Sequence, residues 1–152
     1  MISQSKQKGF TIVELLIVIV VIGILAAISI VAYNNVTQKA RDDQRISDAR
    51  NIINAAAAYQ AETGSWPTTK AQLNSGTVVV PTAVTDKITS AGPSSDATKD
   101  TYRFQYCGTT APATAAAATG IRVTYAKEAT SSWAEQMNAG SGSTCSTTLT
   151  LS

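Results

Sequence analysis

The feature that most constrains this chain is an apolar run from Phe10 to Tyr33, in which Glu14 is the only charged residue. As a helix, this run spans roughly 36 Å, enough for a hydrocarbon core of about 30 Å. Lys6 and Lys8 precede it, and the five uncharged residues Asn34 to Gln38 follow it. The positive-inside rule therefore predicts one membrane-spanning segment, with the N-terminus in the cytoplasm and the rest outside.

Glu14 separates the possible meanings of this run. An ordinary secretory signal peptide is one alternative, because Ala27-Ile28-Ser29 offers a small-x-small cleavage pattern. A plain signal anchor is another. Neither explains Glu14, since a carboxylate inside an apolar span costs a few kcal/mol even on the gentler insertion scales. Such a residue is by default a functional-site hypothesis, and it needs a partner.

The stretch KGFTIVELL, residues 8–16, resembles the class III signal of type IV pilins and type II secretion pseudopilins, and GILAAI, residues 23–28, also fits. The resemblance implies that a prepilin peptidase cuts between Gly9 and Phe10 on the cytoplasmic side, so that residues 1–9 are a removed leader. It also implies that the new amine of Phe10 is methylated and that the apolar segment is retained. Glu14 matches the family's conserved glutamate and is expected to act in assembly.

The helix is predicted to continue beyond the membrane. Residues 34–62 contain no proline or glycine, and their apolar residues recur at mostly helical spacing. Gly64 and Pro67 predict its end. We therefore expect one helix from about Phe10 to Thr63, with a transmembrane half (10–33) and an amphipathic half (34–63). Its charged side chains are expected to form a solvated face or salt bridges between subunits: Arg41, Asp42, Arg45, Asp48 and Arg50.

The remaining residues, 64–152, predict a small β-rich head. Tyr102–Cys107 and Ile121–Tyr125 alternate apolar and polar residues, which indicates strands. A further strand is expected from the alternation of Thr147, Leu149 and Leu151. The apolar faces of these strands are expected to cover Ile46, Ile53 and Tyr59 of the helix. The predicted fold class is α+β, a long helix packed on a small antiparallel sheet, as in pilins.

The chain has two cysteines and no histidine. Cys107 and Cys145 are too few for a zinc site without histidine, and in an exported domain they are better explained as one disulfide. Their placement also resembles the C-terminal disulfide loop of many pilins. Without histidine, no serine or cysteine nucleophile has an evident base. We therefore predict no enzymatic activity, no metal site and no cofactor.

The charge balance bears on the partners. The formal net charge is +2, and removing the leader lowers Lys plus Arg from 12 to 10, equal to the 10 acids. A neutral chain lacks the electrostatic footprint of a nucleic-acid-binding protein. The resemblance implies instead a helical filament of identical copies, made with a prepilin peptidase, an assembly ATPase and inner-membrane platform proteins.

Two functions remain open within that family. The first is a structural subunit of a type IV pilus-like surface filament, held as a single-pass inner-membrane precursor and then extracellular. Motility, adhesion or DNA uptake would depend on the machine around it. The second is a pseudopilin of a type II secretion or competence system. Major secretion pseudopilins typically have acidic calcium ligands near the C-terminus, whereas no acid follows Glu135 here, which favours the pilin.

Overall fold

The computed structural model describes residues 9–110, 114–146 and 151. The chain divides into two compact units between Thr37 and Gln38. The predicted leader, except for Gly9, lies outside the described residues.

A single helix, α1, runs from Ile12 to Thr63, so it begins slightly later than the sequence predicts and ends where the sequence predicts. Gly64 terminates it with φ of +78°, a conformation that glycine adopts without steric cost. The Gly64 N–H donates to the Gln60 carbonyl at 2.8 Å. The predicted glycine cap is therefore confirmed.

The part of α1 that lies in the first unit is apolar, and its apolar side chains are exposed. Its large apolar side chains between Phe10 and Val36 are 48% to 90% exposed. Among the described residues, α1 is the one helix long and apolar enough to cross a membrane, and none of its most apolar stretch is buried. A helix that is apolar all round needs cover from lipid or from other helices.

The second unit contains a four-stranded antiparallel sheet of order β3-β2-β1-β4. Its strands are β1 (Arg103–Gly108), β2 (Gly120–Lys127), β3 (Ser132–Gly140) and β4 (Thr144–Cys145). Strands β1 and β2 confirm the two predicted from alternation, whereas β3 was not predicted. Of the expected C-terminal strand, Thr147 and Leu149 lie outside the described residues, and Leu151 is buried.

Short helical turns fill the connections. Between α1 and β1 lie a 3₁₀ helix at Lys70–Asn74, the four-residue helix α2 at Thr82–Thr85 and a second 3₁₀ helix at Asp96–Thr98. A third 3₁₀ helix, Ala115–Ala117, lies between β1 and β2.

The core of this unit lies between the sheet and the last turns of α1. The register places Phe104 opposite Val123 and Tyr106 opposite Ile121, so alternate side chains of β1 and β2 share one face. That face joins one cluster with helix residues Ala49, Ile52, Ile53, Ala55 and Ala56. Of the predicted helix partners, Ile53 is buried and Ile46 packs against the cluster. Tyr59 is half-buried and lies outside the cluster among the described residues.

The predicted solvated face of α1 is wrong in its central part. Asp42, Arg45 and Asp48 are only 3%, 3% and 5% exposed. They pair inside the unit with groups far along the chain. Arg41 and Arg50 remain exposed, although Arg41 also pairs with Glu128. Buried charges need compensating partners, and the sheet side supplies them.

Candidate functional site

The start of α1 forms a capping box around Glu14. Thr11 is the residue before the helix, and its backbone N–H and its Oγ1 both donate to Glu14 Oε2 at 2.8 Å. In return, the Glu14 N–H donates to Thr11 Oγ1 at 3.2 Å. This is the reciprocal Thr-x-x-Glu arrangement, which satisfies two backbone donors that an α-helix leaves open at its N-terminus.

The capping box gives Glu14 a partner within its own chain. Glu14 was expected to need a partner, but Thr11 was not predicted to be one. The missed pattern was present in the sequence, since Thr11 and Glu14 stand three residues apart just before an apolar run. The carboxylate also lies at the positive end of the helix dipole, which favours its negative charge.

Apolar side chains surround this carboxylate. Phe10, Leu15 and Val18 line a shallow groove beside Glu14. These three side chains are 90%, 62% and 54% exposed. The site therefore combines one carboxylate with uncovered apolar surface, a combination suited to a charged partner that arrives with an apolar surface of its own.

The predicted cleavage junction lies just before the helix. Gly9 and Phe10 are exposed and precede α1, so the bond between them is in extended or irregular backbone. A Cβ built at Gly9 would meet no atom within 4 Å. The junction is therefore open on the glycine side.

Cys107 and Cys145 form a disulfide, with their Cα atoms 4.0 Å apart. They face each other across β1 and β4, and in the described part of the chain Gly108 and Thr144 are the other pair of these two strands. The disulfide adds a covalent tie to the two-residue strand β4, beside the hydrogen bond that the Ser146 N–H donates to the Tyr106 carbonyl.

An ionic group in the second unit was not predicted at all. We call it the Glu128 cluster, and its six charged members come from three separate segments of the chain: Arg41, Asp42, Arg45, Lys99, Asp100 and Glu128. No local pattern marks Glu128 or Asp100, because each becomes a partner only when the β2–β3 turn and the Asp96–Thr98 region meet α1.

A neighbouring carboxylate, Asp48, is held separately. It accepts from the Tyr102 hydroxyl at 2.9 Å and from Gln44 Nε2 at 2.8 Å. Burial, and then the hydrogen bond to Asp48, raises the pKa of the Tyr102 hydroxyl, so this group stays a neutral donor.

Comparison with known proteins finds the prokaryotic N-terminal methylation motif over residues 4–30. The chain is 41% identical over 64 residues to a type IV major pilin protein, PilE1, of Neisseria gonorrhoeae, covering 42% of this chain and 39% of that pilin. It is 43% identical over 64 residues to a fimbrial protein of Neisseria meningitidis serogroup B, covering 42% and 38%.

A third relative comes from a secretion system. Type II secretion system core protein G of Escherichia coli is 35% identical over 73 residues, covering 48% of this chain and 50% of that protein. The alignments thus span about two fifths of the pilins' length and half of the secretion protein's length. No solved structure matches the chain. This chain therefore has the prokaryotic N-terminal methylation motif, and its homologues are type IV major pilins and a type II secretion pseudopilin.

Proposed function

We propose that this protein is a structural subunit of a type IV pilus-like surface filament, and that it is not an enzyme. The observation that carries the proposal is the apolar first half of α1, which is exposed along its whole length. Its one carboxylate, Glu14, accepts a hydrogen bond from Thr11 at the start of the helix. Such a surface is stable only when lipid or other helices cover it. The membrane covers it in the precursor, and the same helix of other copies covers it in the filament.

We propose further that prepilin peptidase cuts between Gly9 and Phe10, and that the new Phe10 amine is methylated. Cleavage leaves the Thr11 amide and hydroxyl in place, so the capping box survives it. Mass spectrometry of the protein from membranes or filaments should find Phe10 as the N-terminal residue. A mature N-terminus at Ile30 would instead support an ordinary secretory signal.

Glu14 is proposed to register incoming subunits. In a staggered bundle of apolar helices, the Phe10 amine of one copy can meet Glu14 of another, and opposite charges attract strongly in a low dielectric. The remaining machinery would be an assembly ATPase and inner-membrane platform proteins. The filament would be extracellular, and its assembly needs no nucleic acid.

The capping box allows a sharp test of this role. Glutamine can replace glutamate in a capping box, so Glu14→Gln keeps the helix start and removes the charge. Glu14→Ala removes both. We expect both variants to insert into the membrane and to be processed normally, while sheared surface filaments fall below detection. Glu14→Asp, with its charge retained on a shorter side chain, should give an intermediate yield.

The comparison between the two neutral variants decides the meaning of the result. A normal filament yield from Glu14→Gln, with loss only in Glu14→Ala, would show that Glu14 serves the helix start and not registration. Processed membrane-pool protein, measured in the same cells, controls for expression and insertion.

The pseudopilin alternative is favoured by the secretion-system relative of Escherichia coli. It requires the same cleavage and the same role for Glu14. The two functions differ in where the polymer lies. A deletion strain that lacks surface filaments but secretes normally supports the pilus subunit, whereas normal filaments with lost secretion would support the pseudopilin.

A further inference from the structure

The turn between β2 and β3 is irregular. Ser131 has φ of +52°, the only non-glycine residue with positive φ among the described residues. Its N–H donates to the Glu128 carbonyl at 3.0 Å, which closes the turn. The pairing register of β2 and β3 shifts between Tyr125 and Lys127. A residue in the left-handed region costs free energy and persists only where its surroundings hold it.

The side chain of Asp42, on α1, binds the backbone of this turn. Asp42 Oδ1 accepts from the Glu128 N–H at 2.8 Å, and Asp42 Oδ2 accepts from the Ala129 N–H at 2.9 Å. Both carboxylate oxygens of a buried side chain are thus used on two successive N–H groups. Hydrogen bonds to a carboxylate are stronger than neutral ones, so Asp42 fixes the turn to the helix.

The side chain of Glu128 makes a second set of contacts between the turn and α1. Its Oε2 accepts from Arg41 Nη2 at 2.8 Å, and its Oε1 pairs with Arg45 and lies 3.5 Å from Lys99 Nζ. The side chain of Glu128 is only 8% exposed. Three cations therefore converge on one buried carboxylate of the turn.

The six charges of the Glu128 cluster, three positive and three negative, balance only while the Glu128 carboxylate is ionised. Arg45 also pairs with Asp42 at 2.9 Å and with Asp100 at 2.8 Å. Three further titratable groups lie beside the cluster: Asp96 is 3.8 Å from Lys99, and Asp48 accepts from the Tyr102 hydroxyl. Protonating Glu128 leaves the buried guanidinium of Arg45 with less compensation, which is unfavourable.

We propose that the Glu128 cluster is an acid-operated latch, which closes the β2–β3 turn onto α1 at neutral pH and opens the turn in acid while the rest of the sheet stays folded. This proposal does not depend on the filament function. The disulfide supports local opening, because Cys107 pairs with Gly120 at the far end of β2 from the turn. Hence the end of the sheet near the disulfide is held while the end at the turn is released.

The direction of the pH effect follows from Glu128. The hydrogen bond from Arg41 is the largest cause, and with Arg45 it lowers the pKa of Glu128 to about 2. The stabilisation is complete above the ordinary glutamate pKa and is lost as the pH falls toward 2. Taking 4.5 for the open turn and about 2 for the closed one, linkage gives about 4-fold more opening at pH 4 and about 30-fold more at pH 3.

Hydrogen exchange of the full chain in detergent micelles tests the latch. Deuterium uptake would be measured between pH 7 and pH 3 for peptides that cover the turn and, as a reference, β1. Each rate would be normalised to the unfolded peptide at the same pH. We expect the turn to exchange faster from pH 4 downward, by the factors above, while β1 stays protected.

Three variants give the result its meaning. Glu128→Gln should raise turn exchange at pH 7 and flatten its dependence on pH. Arg41→Ala removes a half-exposed partner, so the fold should persist. Turn exchange at pH 7 should rise, and its further rise between pH 7 and pH 3 should be smaller than in the wild type. Glu135→Gln makes the same chemical change on β3, outside the cluster, and should behave as the wild type does.

Other outcomes would overturn the latch. If the turn and β1 lose protection together, acid unfolds the unit as a whole and no separate latch exists. If Arg41→Ala leaves both turn exchange at pH 7 and the size of its rise in acid unchanged, or if Glu128→Gln exchanges like the wild type at pH 7 and pH 3, Glu128 is not the controlling group. Should Glu128→Gln fail to fold, the exchange of the Arg41→Ala variant alone decides whether Glu128 controls the opening.

Discussion

The two halves of α1 form one continuous helix but differ in what surrounds them. Ile22 in the first half is 58% exposed, whereas Ile52 in the second half is fully buried. Both halves satisfy their backbone hydrogen bonds along the helix, so helix formation itself does not require burial. The comparison shows that the helix is set by local sequence, while only its second half is covered by the sheet among the described residues.

The same difference appears in the charges. Within the first half, Glu14 is the only charged residue from Phe10 to Tyr33, and its partner Thr11 is three residues away. In the second half, Arg45 pairs with Glu128, which is 83 residues away. The one charge of the first half thus has a hydrogen-bond partner close by in the chain. The buried charges of the second half depend on tertiary contacts for their partners.

The largest expected effect on stability comes from the disulfide, which lies within the second unit. The cross-link joins residues 38 positions apart, and the chain-entropy model gives it about 4 kcal/mol of the free energy of unfolding. Replacing Cys107 and Cys145 together by Ser should lower that free energy by this amount, measured by denaturant unfolding in micelles. Far-ultraviolet dichroism from the first half of α1 should persist after the head has unfolded.

A reductant provides the control for this experiment. It should destabilise the wild type to the same extent and leave the double Ser variant unaffected. Equal stability of the oxidised and reduced wild type would mean that the sheet does not need its covalent tie.

A matched pair of substitutions tests the comparison directly. Ile52→Ala leaves a cavity in the core and should lower the free energy of unfolding of the head by roughly 3 kcal/mol. Ile22→Ala makes the same change on the same helix at an exposed position and should leave head stability unchanged. A similar loss from both variants would show that the first half of α1 contributes to the stability of the head.

A smaller effect is expected from Tyr102→Phe. The hydroxyl of Tyr102 donates to Asp48 within the core, and its removal leaves a buried carboxylate oxygen without that donor. Hydrogen bonds to charged groups contribute roughly 1.5–3 kcal/mol, so the free energy of unfolding should fall within that range. Tyr125→Phe is the matched control, because it removes a hydroxyl from another buried tyrosine of the same core. Equal losses in the two variants would argue against a special role for the Asp48 contact.

Much of the architecture could be predicted from the sequence, for identifiable reasons. The end of α1 at Thr63 follows from Gly64, and β1 and β2 follow from strict alternation, since both are local signals. Strand β3 was not predicted because Glu135 interrupts its alternation of apolar and polar residues, and because Ala134 and Ala139 are weak strand formers. The capping box of Thr11 and Glu14 is also a local signal in the sequence, although it was not predicted.

The sequence by itself determined the apolar span, the Gly9–Phe10 junction, the position of Glu14 and the length of the helix, because each depends on residues close together in the chain. Only the tertiary structure decided that Asp42, Arg45 and Asp48 are buried. Their charge predicts exposure when each residue is considered alone. Burial of a charge becomes favourable only when its partners are brought to it, and here those partners lie on Asp100, Tyr102 and Glu128. A pairing between distant segments has no local pattern, so it emerges only when the sheet closes on the helix.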